Sequence, residues 1–387
     1  MNKSLIRTSN GDLKYCSMKK PLVKDAEVLI KLGYVGVCGT DLQILRGLRS
    51  DSAIIIGHEA IGEIVEKGRN LSTFNVGDKV TFNPNSLSNQ NRILGHSMQG
   101  VFQQYILLNY LDIEQGMLEK IDDDIPYWAG ALIEPLASVI YAHELIRQVS
   151  PMQSVAIFGA GTMGLLHALH LRLHGIKQVF LIHPNSRRLN WALQRKCIES
   201  TSAITTKCRP IEQVLERTLT EGVDVALICT PRDASLEALN TALQLIKPGG
   251  CIDLVGGFET DAKSFELPNI NFTEIRKANF CGKPQIGSIK KITTISDRSI
   301  MLTGHRGVSK RHLQQSIRYL KQSPHWYSRL ITHTVSLQAA EYVLNKFRQD
   351  GIRRIKNEEW VKLAIDCRRS DFSIKTNNFF PNSILCS

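Results

Sequence analysis

The first part of the chain carries short hydrophobic runs in which apolar and polar positions alternate or glycines lie close by. Such runs occupy residues 28–32 and 61–65, and Gly77-Asp78 leads as a turn into a further run at 79–82. Short alternating segments bounded by turn residues are typical of β-strands with one buried face. The pattern over about 150 residues therefore predicts a partly open β-barrel.

The pattern changes near Pro151. Continuous apolar runs at 154–158, 178–182, 223–228 and 251–255 predict buried parallel strands. Helical periodicity lies between them, at 162–174, 186–196 and 233–246. Strands that alternate with helices predict a doubly wound parallel sheet, so the fold class is α/β with a separate barrel-like domain.

Helical patterns return at 309–322 and 337–349, followed by a strand-like run at 361–365. We expect this part to rejoin the first domain. A chain of 387 residues is longer than one core usually serves. The predicted division is 1–150 for the first domain, 151–287 for the parallel sheet, 288–366 for the returning segment and 367–387 for a tail without an assigned function.

Composition narrows the class of protein. The chain is 43% hydrophobic and 22% charged, which excludes disordered and fibrous proteins. No run reaches the ~20 apolar residues of a membrane span, and the N-terminus lacks the apolar region of a signal peptide. The nine cysteines form no CxxC pair and are expected to be reduced. We therefore expect a cytoplasmic protein with no membrane partner.

The chain is basic, with 48 Lys and Arg against 36 Asp and Glu, a net charge of +12. These residues are scattered, and the sequence contains neither an aromatic RNA-binding box nor a Cys/His finger. We therefore do not expect a nucleic-acid partner. An anionic cofactor or substrate, or a solvated basic surface, explains the charge better.

A glycine motif, Gly159-Ala160-Gly161-Thr162-Met163-Gly164, directly follows a predicted strand and opens a predicted helix. The first glycine permits a tight turn, the second lets a pyrophosphate approach the backbone, and the third lets the helix pack on the strand. The phosphates would meet the free N–H groups of the helix N-terminus. In this context the motif predicts a dinucleotide site.

The second predicted strand of this unit ends at His183, where an acidic residue normally binds the ribose 2′-hydroxyl. Arg187 and Arg188 follow and could pair with a 2′-phosphate, or could lie at a solvated helix start. The prediction leans to NADP over NAD. Cys229, after the strand at 223–228, is a further candidate cofactor-binding residue.

Three short motifs carry candidate metal ligands. Cys38 lies in Gly36-Val37-Cys38-Gly39-Thr40-Asp41, His58 and Glu59 lie in Gly57-His58-Glu59, and Glu134 lies in Ile133-Glu134-Pro135-Leu136. Taken singly, each side chain has an ordinary structural explanation. Together they offer one thiolate, one imidazole and carboxylates, which suits a catalytic zinc with an open coordination position.

These motifs, followed by the glycine motif, are similar in order and spacing to the zinc-dependent medium-chain alcohol dehydrogenase family. The resemblance extends from about residue 10 to about residue 365. It implies a GroES-like partly open barrel joined to a Rossmann domain. It also implies interconversion of a secondary alcohol and a ketone by hydride transfer, with zinc as Lewis acid and NAD(P) as hydride carrier.

The resemblance also implies residue roles. Cys38 and His58 would be zinc ligands, with Glu59 a direct or exchanging ligand. Glu134 matches the third ligand position of the sorbitol and threonine dehydrogenase branch, either direct or through water, which points to a polyol, sugar or amino-alcohol substrate. Thr40 matches the hydroxyl that begins the proton relay from the substrate.

The sequence departs from the family in two further places. Residues 83–92 lack the four cysteines that hold a structural zinc in many members, so we expect one catalytic zinc per chain. Gln43 stands where many relatives carry a relay histidine, so the proton must leave another way, through water or His96.

Two alternatives remain open. The missing cysteines and His183 also resemble ribulose-5-phosphate reductases, which use NADPH, and Arg306 could suit such a phosphorylated substrate. A non-catalytic dinucleotide-binding paralogue is the other alternative, which the absent relay histidine mildly favours. Relatives are commonly dimers or tetramers, so the resemblance implies a homo-oligomer.

Overall fold

A computed structural model describes residues 1–377. The chain divides into two compact units. The first comprises Met1–Ala137 and the part from Val308 onwards, and the second comprises Ser138–Gly307. Among the described residues, no helix combines the length and the apolar character that crossing a membrane requires.

The strands of the described chain are, in order, β1 Asn2–Arg7, β2 Leu13–Met18, β3 Glu27–Gly36, β4 Glu59–Lys67, β5 Lys79–Phe82, β6 Tyr105–Asn109, β7 Leu118–Lys120, β8 Ser154–Phe158, β9 Gln178–His183, β10 Ala203–Thr205, β11 Val223–Ile228, β12 Ile246–Asp253, β13 Lys290–Thr293, β14 Ser299–Thr303, β15 Ile331–Ser336, β16 Arg354–Ile355, β17 Glu358–Glu359, β18 Lys362–Asp366 and β19 Ile374–Thr376.

The α-helices are α1 Gly39–Leu45, α2 Tyr110–Glu114, α3 Ile133–Arg147, α4 Thr162–Leu173, α5 Ser186–Gln194, α6 Pro210–Arg217, α7 Arg232–Leu245, α8 Phe272–Lys277, α9 Lys310–Gln322, α10 Pro324–Ser328 and α11 Leu337–Asp350. Two 3₁₀ turns lie at Tyr127–Ala131 and Ser200–Ser202.

The first unit is built on an eight-stranded sheet in the order β19-β15-β18-β3-β4-β5-β7, with β6 also paired to β3. All of its pairings are antiparallel except β15 with β18. Valine, leucine and isoleucine from these strands and from α11 fill one continuous core. The partly open β-barrel predicted for the first part of the sequence is therefore confirmed.

The second unit contains a seven-stranded sheet in the order β10-β9-β8-β11-β12-β14-β13. All strands except β13 run parallel. Because the chain moves from β8 outward in one direction through β9 and β10 and in the other through β11, the strand order reverses between β8 and β11. Ligands of doubly wound sheets bind at the carboxyl ends of strands at such a reversal.

The structure differs from the sequence prediction in three places. Strands β14 and β13 extend this sheet, so the second unit spans Ser138–Gly307 rather than 151–287, and the returning segment begins at Val308 rather than at 288. Strand β12 begins at Ile246, earlier than the predicted run at 251–255. The tail contributes β19, which pairs with β15, while residues 378–387 of that tail lie outside the described part of the chain. Strands β13 and β19 carry few apolar residues, so their sequence pattern is weak.

Candidate metal and dinucleotide sites

Cys38 follows β3 and immediately precedes α1. Its backbone N–H donates to Asp41 Oδ2 at 2.9 Å, which fixes the start of the helix. The other oxygen of that carboxylate, Asp41 Oδ1, accepts the N–H of Gly57 at 3.1 Å. Asp41 is fully buried. One carboxylate therefore joins the loop that carries Cys38 to the loop that carries His58.

Glu59 begins β4 directly opposite Gly36 of β3. A side chain at Gly36 would displace the Glu59 carboxylate, because an added Cβ would lie 2.1 Å from Glu59 Oε2. The same oxygen is paired with the ammonium group of Lys362 at the start of β18, and both side chains are buried. Lys362 also donates to the carbonyl of Val37 at 3.2 Å. This pairing holds a negative charge in the interior of the first unit.

The side chains of Cys38, His58 and Glu59 converge in the first unit. One ligand atom from each lies within 4.8 Å of the others. His58 Nδ1 and Glu59 Oε1 are buried and have no hydrogen-bond partner among the described residues. Burial opposes a charge on His58, but Asp41, Cys38 and Glu59 raise the pKa of its imidazole to about 10. A site with unpartnered donors and this anionic surrounding fits a divalent cation, and a thiolate–imidazole–carboxylate set fits zinc.

Glu134 lies in the first turn of α3 and is not one of the three converging ligands. Burial raises the pKa of its carboxyl to about 7, while His58 lowers it and Glu59 raises it further. The charges of His58 and Glu59 therefore act on the Glu134 carboxyl. The structure therefore does not bring Glu134 into the group of three converging side chains.

Thr40 is the second residue of α1, and its Oγ1 lies 3.7 Å from Cys38 Sγ. The hydroxyl is therefore beside the candidate thiolate ligand. Gln43 lies one turn further along the same helix. His96, the alternative proton acceptor, packs against the His58 ring with 5.1 Å between the ring centroids.

Three neighbours of the site were not found from the sequence: Asp41, Lys362 and Asp51. Asp51 Oδ1 lies 2.9 Å from His96 Nδ1. Of these, only Lys362 could have been noticed in the sequence, because it is a charged residue inside an apolar run that predicts a buried strand. Such a lysine is almost never fully buried unless it is paired. No sequence feature names its partner, which lies 303 residues away.

The glycine motif forms the turn between β8 and α4. Gly159 has φ of +107°, a conformation that glycine adopts without strain. An added Cβ at Gly164 would lie 1.8 Å from the carbonyl oxygen of Gly159, whereas one at Gly161 would meet no atom within 4 Å. The turn therefore packs closely at Gly159 and Gly164 and leaves open space at Gly161, which fits a pyrophosphate at the helix N-terminus beside Thr162 and Met163.

His183 ends β9 and is partly buried. Its Nδ1 accepts the backbone N–H of Ala160 at 3.4 Å, which places the imidazole against the glycine turn. Asn185 caps α5 by accepting the N–H groups of Arg187 and Arg188 at 2.9 and 3.4 Å. Arg187 is exposed, whereas Arg188 is buried. Of the two arginines, Arg187 therefore presents the more accessible guanidinium group.

Cys229 follows β11, on the other side of the glycine turn. An added Cβ at Gly159 would lie 2.6 Å from the Cys229 carbonyl oxygen, so the two backbones are in contact. Burial, with a smaller contribution from Asp253, raises the pKa of the Cys229 thiol well above its usual range. Cys229 is therefore suited to backbone packing against the turn rather than to nucleophilic chemistry.

Comparison with known families matches two regions of the chain. Residues 24–114 match the alcohol dehydrogenase GroES-like domain, and residues 162–293 match the zinc-binding dehydrogenase domain. The chain is 28% identical over 294 residues to the sorbitol dehydrogenase of Bacillus subtilis, covering 70% of this chain and 80% of the relative. It is also 28% identical over 255 residues to the L-threonine 3-dehydrogenase of Ruegeria pomeroyi, covering 61% and 71%.

Two solved structures share the fold. Galactitol-1-phosphate dehydrogenase from Escherichia coli superposes with a TM-score of 0.72 at 19% identity, covering 94% of this chain and 99% of the other. A zinc-binding dehydrogenase from Sinorhizobium meliloti, bound to NADP, superposes with a TM-score of 0.70 at 21% identity, covering 95% and 99%. These likenesses confirm the predicted pairing of a GroES-like domain with a Rossmann domain.

Proposed function

From the premise that this chain belongs to the zinc-dependent medium-chain alcohol dehydrogenase family, we propose that it oxidises a polyol, sugar or amino alcohol at a secondary hydroxyl, or reduces the corresponding ketone. The observation that carries the proposal is the convergence of Cys38, His58 and Glu59 around unpartnered buried donor atoms. Sequence relatives named for sorbitol and threonine support a polyol or amino-alcohol substrate. The ketose-phosphate reductase alternative is not favoured by these names.

Cys38, His58 and Glu59 would hold the metal, and Glu134 would complete the site directly or through water. A bound zinc ion supplies Lewis acidity toward the substrate oxygen, and a bound nicotinamide accepts or returns the hydride. Lys362 pairs with Oε2 of Glu59, so Oε1, which has no hydrogen-bond partner among the described residues, would be the oxygen available to the metal.

Thr40 would receive the hydroxyl proton of the substrate. Its Oγ1 lies beside the candidate thiolate ligand at the start of α1, so a substrate at the metal position would lie near this hydroxyl. Gln43 cannot take up a proton, so the proton must continue to solvent by another group. We expect Thr40→Val to retain the metal and lose at least about 100-fold in activity, within the usual contribution of a positioned proton-transfer group. Thr40→Ser keeps the hydroxyl and should retain most of the activity.

The second unit would bind NADP in preference to NAD. His183 replaces the acidic residue that would repel a 2′-phosphate, and the exposed Arg187 can pair with it. Arg187→Ala should weaken NADP binding more than NAD binding in equilibrium fluorescence titrations. Equal weakening of both cofactors would contradict the assignment. Arg188→Ala is the companion variant, and its buried side chain predicts a loss of stability in addition.

We further propose one metal per chain, a homo-oligomeric assembly and a cytoplasmic location. The first measurement is the metal content of the purified full-length protein by elemental mass spectrometry, with Cys38→Ser and His58→Ala as matched variants. About one zinc per wild-type chain, lost in both variants together with activity, is expected. Activity on polyols and amino alcohols that persists in a metal-free Cys38→Ser protein would contradict the mechanism.

A further inference from the structure

A second histidine of the first unit packs against the candidate ligand His58. The ring centroids of His58 and His96 are 5.1 Å apart and the rings are tilted by 34°. That separation lies in the range of attractive ring contacts. His96 is 8% exposed, so this contact is in the interior. None of the roles described above requires this packing.

The His96 ring is itself held in one orientation. Its Nδ1 lies 2.9 Å from Asp51 Oδ1, and its carbonyl accepts the N–H of Ala53 at 2.8 Å. Asp51 in turn accepts two hydrogen bonds from the guanidinium group of Arg49, at 2.7 and 3.0 Å. The carbonyl oxygen of Asp51 also accepts a hydrogen bond from Arg7. The carboxylate is therefore fixed from several sides, and it fixes the imidazole.

Apart from the candidate ligand Cys38, which interacts with its imidazole, His58 has few polar partners among the described residues. Its nearest carboxylate oxygen, Asp41 Oδ1, is 3.6 Å from Nδ1, which is longer than a hydrogen bond. That oxygen already accepts the N–H of Gly57. The face of the His58 ring is therefore held by packing, and His96 supplies an aromatic contact to it.

We propose that Asp51 and His96 are positioning residues that hold the imidazole of His58 in the orientation the metal requires. The inference rests on the proposed function only in requiring that a metal binds to Cys38, His58 and Glu59. Residues that orient metal ligands typically contribute about 10–100-fold to metal affinity. His96→Ala should therefore weaken Zn²⁺ binding by about 10-fold or more, and Asp51→Ala should act in the same direction because it releases the His96 ring.

The test measures Zn²⁺ dissociation constants of the full-length protein by competition with a chromophoric chelator. His96→Phe keeps an aromatic face but lacks the bond to Asp51, so it should recover part of the affinity lost in His96→Ala and still bind Zn²⁺ more weakly than the wild type. Ser97→Ala is the matched control, because Ser97 is exposed and its hydroxyl bonds only within its own loop, to Asn91 and Ile93. The absorption spectrum of the Co²⁺-substituted protein gives a second readout of ligand geometry, which should change in His96→Ala and Asp51→Ala but not in Ser97→Ala.

The outcomes separate this inference from the proposed function. A wild-type protein that binds no metal overturns both. Metal binding by the wild type with unchanged affinity and Co²⁺ spectrum in His96→Ala overturns only the positioning role. Equal losses in Ser97→Ala and His96→Ala, or no recovery in His96→Phe, would assign the effect to general loosening and also overturn it. Circular dichroism of each variant establishes that the comparison is made between folded proteins.

Discussion

Acidification is expected to destabilise the second unit through buried histidines between α3 and α4. His143, His167 and His170 are almost fully buried, and His143 Nε2 lies 2.9 Å from His167 Nδ1. The rings of His143 and His170 are 5.3 Å apart. Burial lowers the pKa of His167 to about 3. It lowers the pKa of His170 to about 2, with help from His174, and that of His143 well below its usual value.

The direction of this pH effect follows from the difference in histidine pKa between the folded and unfolded chains. An unfolded histidine titrates near pH 6.5, whereas these folded histidines stay neutral until far lower pH. Between those values the unfolded chain binds more protons, so the stability is present above about pH 6.5 and is lost as the pH falls. As the pH falls from about 7 to about 5.5, each such histidine lowers the free energy of unfolding by about 1 kcal/mol. His167 and His170 together lower the free energy of unfolding by about 2 to 3 kcal/mol. This is a large part of a typical free energy of unfolding of about 5–15 kcal/mol. His143 acts in the same direction.

The assay compares urea unfolding of the wild type and His167→Gln by circular dichroism, between about pH 5.5 and pH 7.5. The metal ligands also titrate on unfolding, so the diagnostic quantity is the difference between the two pH slopes. His167→Gln should reduce the slope by up to about 1.4 kcal/mol per pH unit. His325→Gln removes an exposed imidazole and serves as the matched control. An unchanged slope in His167→Gln would refute the claim that His167 is held neutral by burial.

Other substitutions test the packing of the second unit. Gly164→Ala should lower the free energy of unfolding by about 2 kcal/mol or more, because the added Cβ would lie 1.8 Å from the carbonyl oxygen of Gly159. Gly161→Ala has open space and should keep the stability while weakening dinucleotide binding, so equal behaviour of the two variants would contradict the interpretation of the turn. Burial raises the pKa of Asp253 to about 7, with Arg276 opposing, and both carboxylate oxygens lack a partner among the described residues. Because the raised pKa costs stability as the pH rises from about 4 through about 7, Asp253→Asn should increase the free energy of unfolding at about pH 8, and a decrease there would count against a buried charge.

Local patterns in the sequence were enough for the fold and for much of the candidate site. The alternating runs of the first part and the continuous runs after Pro151 specified two different sheets, because the period of the hydrophobic pattern records which faces of a strand are buried. The glycine turn and the His58–Glu59 pair could also be predicted from the sequence. Each depends on residues that are neighbours in the chain and that share one turn or one strand end.

Tertiary structure decided which distant groups meet at these positions. Lys362 is paired with Glu59, and His96 and Asp51 are placed against His58. The histidines of α3 and α4 become one buried cluster only when the two helices pack. Strands β13 and β19, with few apolar residues, are ordered by pairing with neighbours rather than by their own pattern. Periodicity records that a side chain is buried but carries no information on its partner, because that partner is selected by packing of elements far apart in the chain.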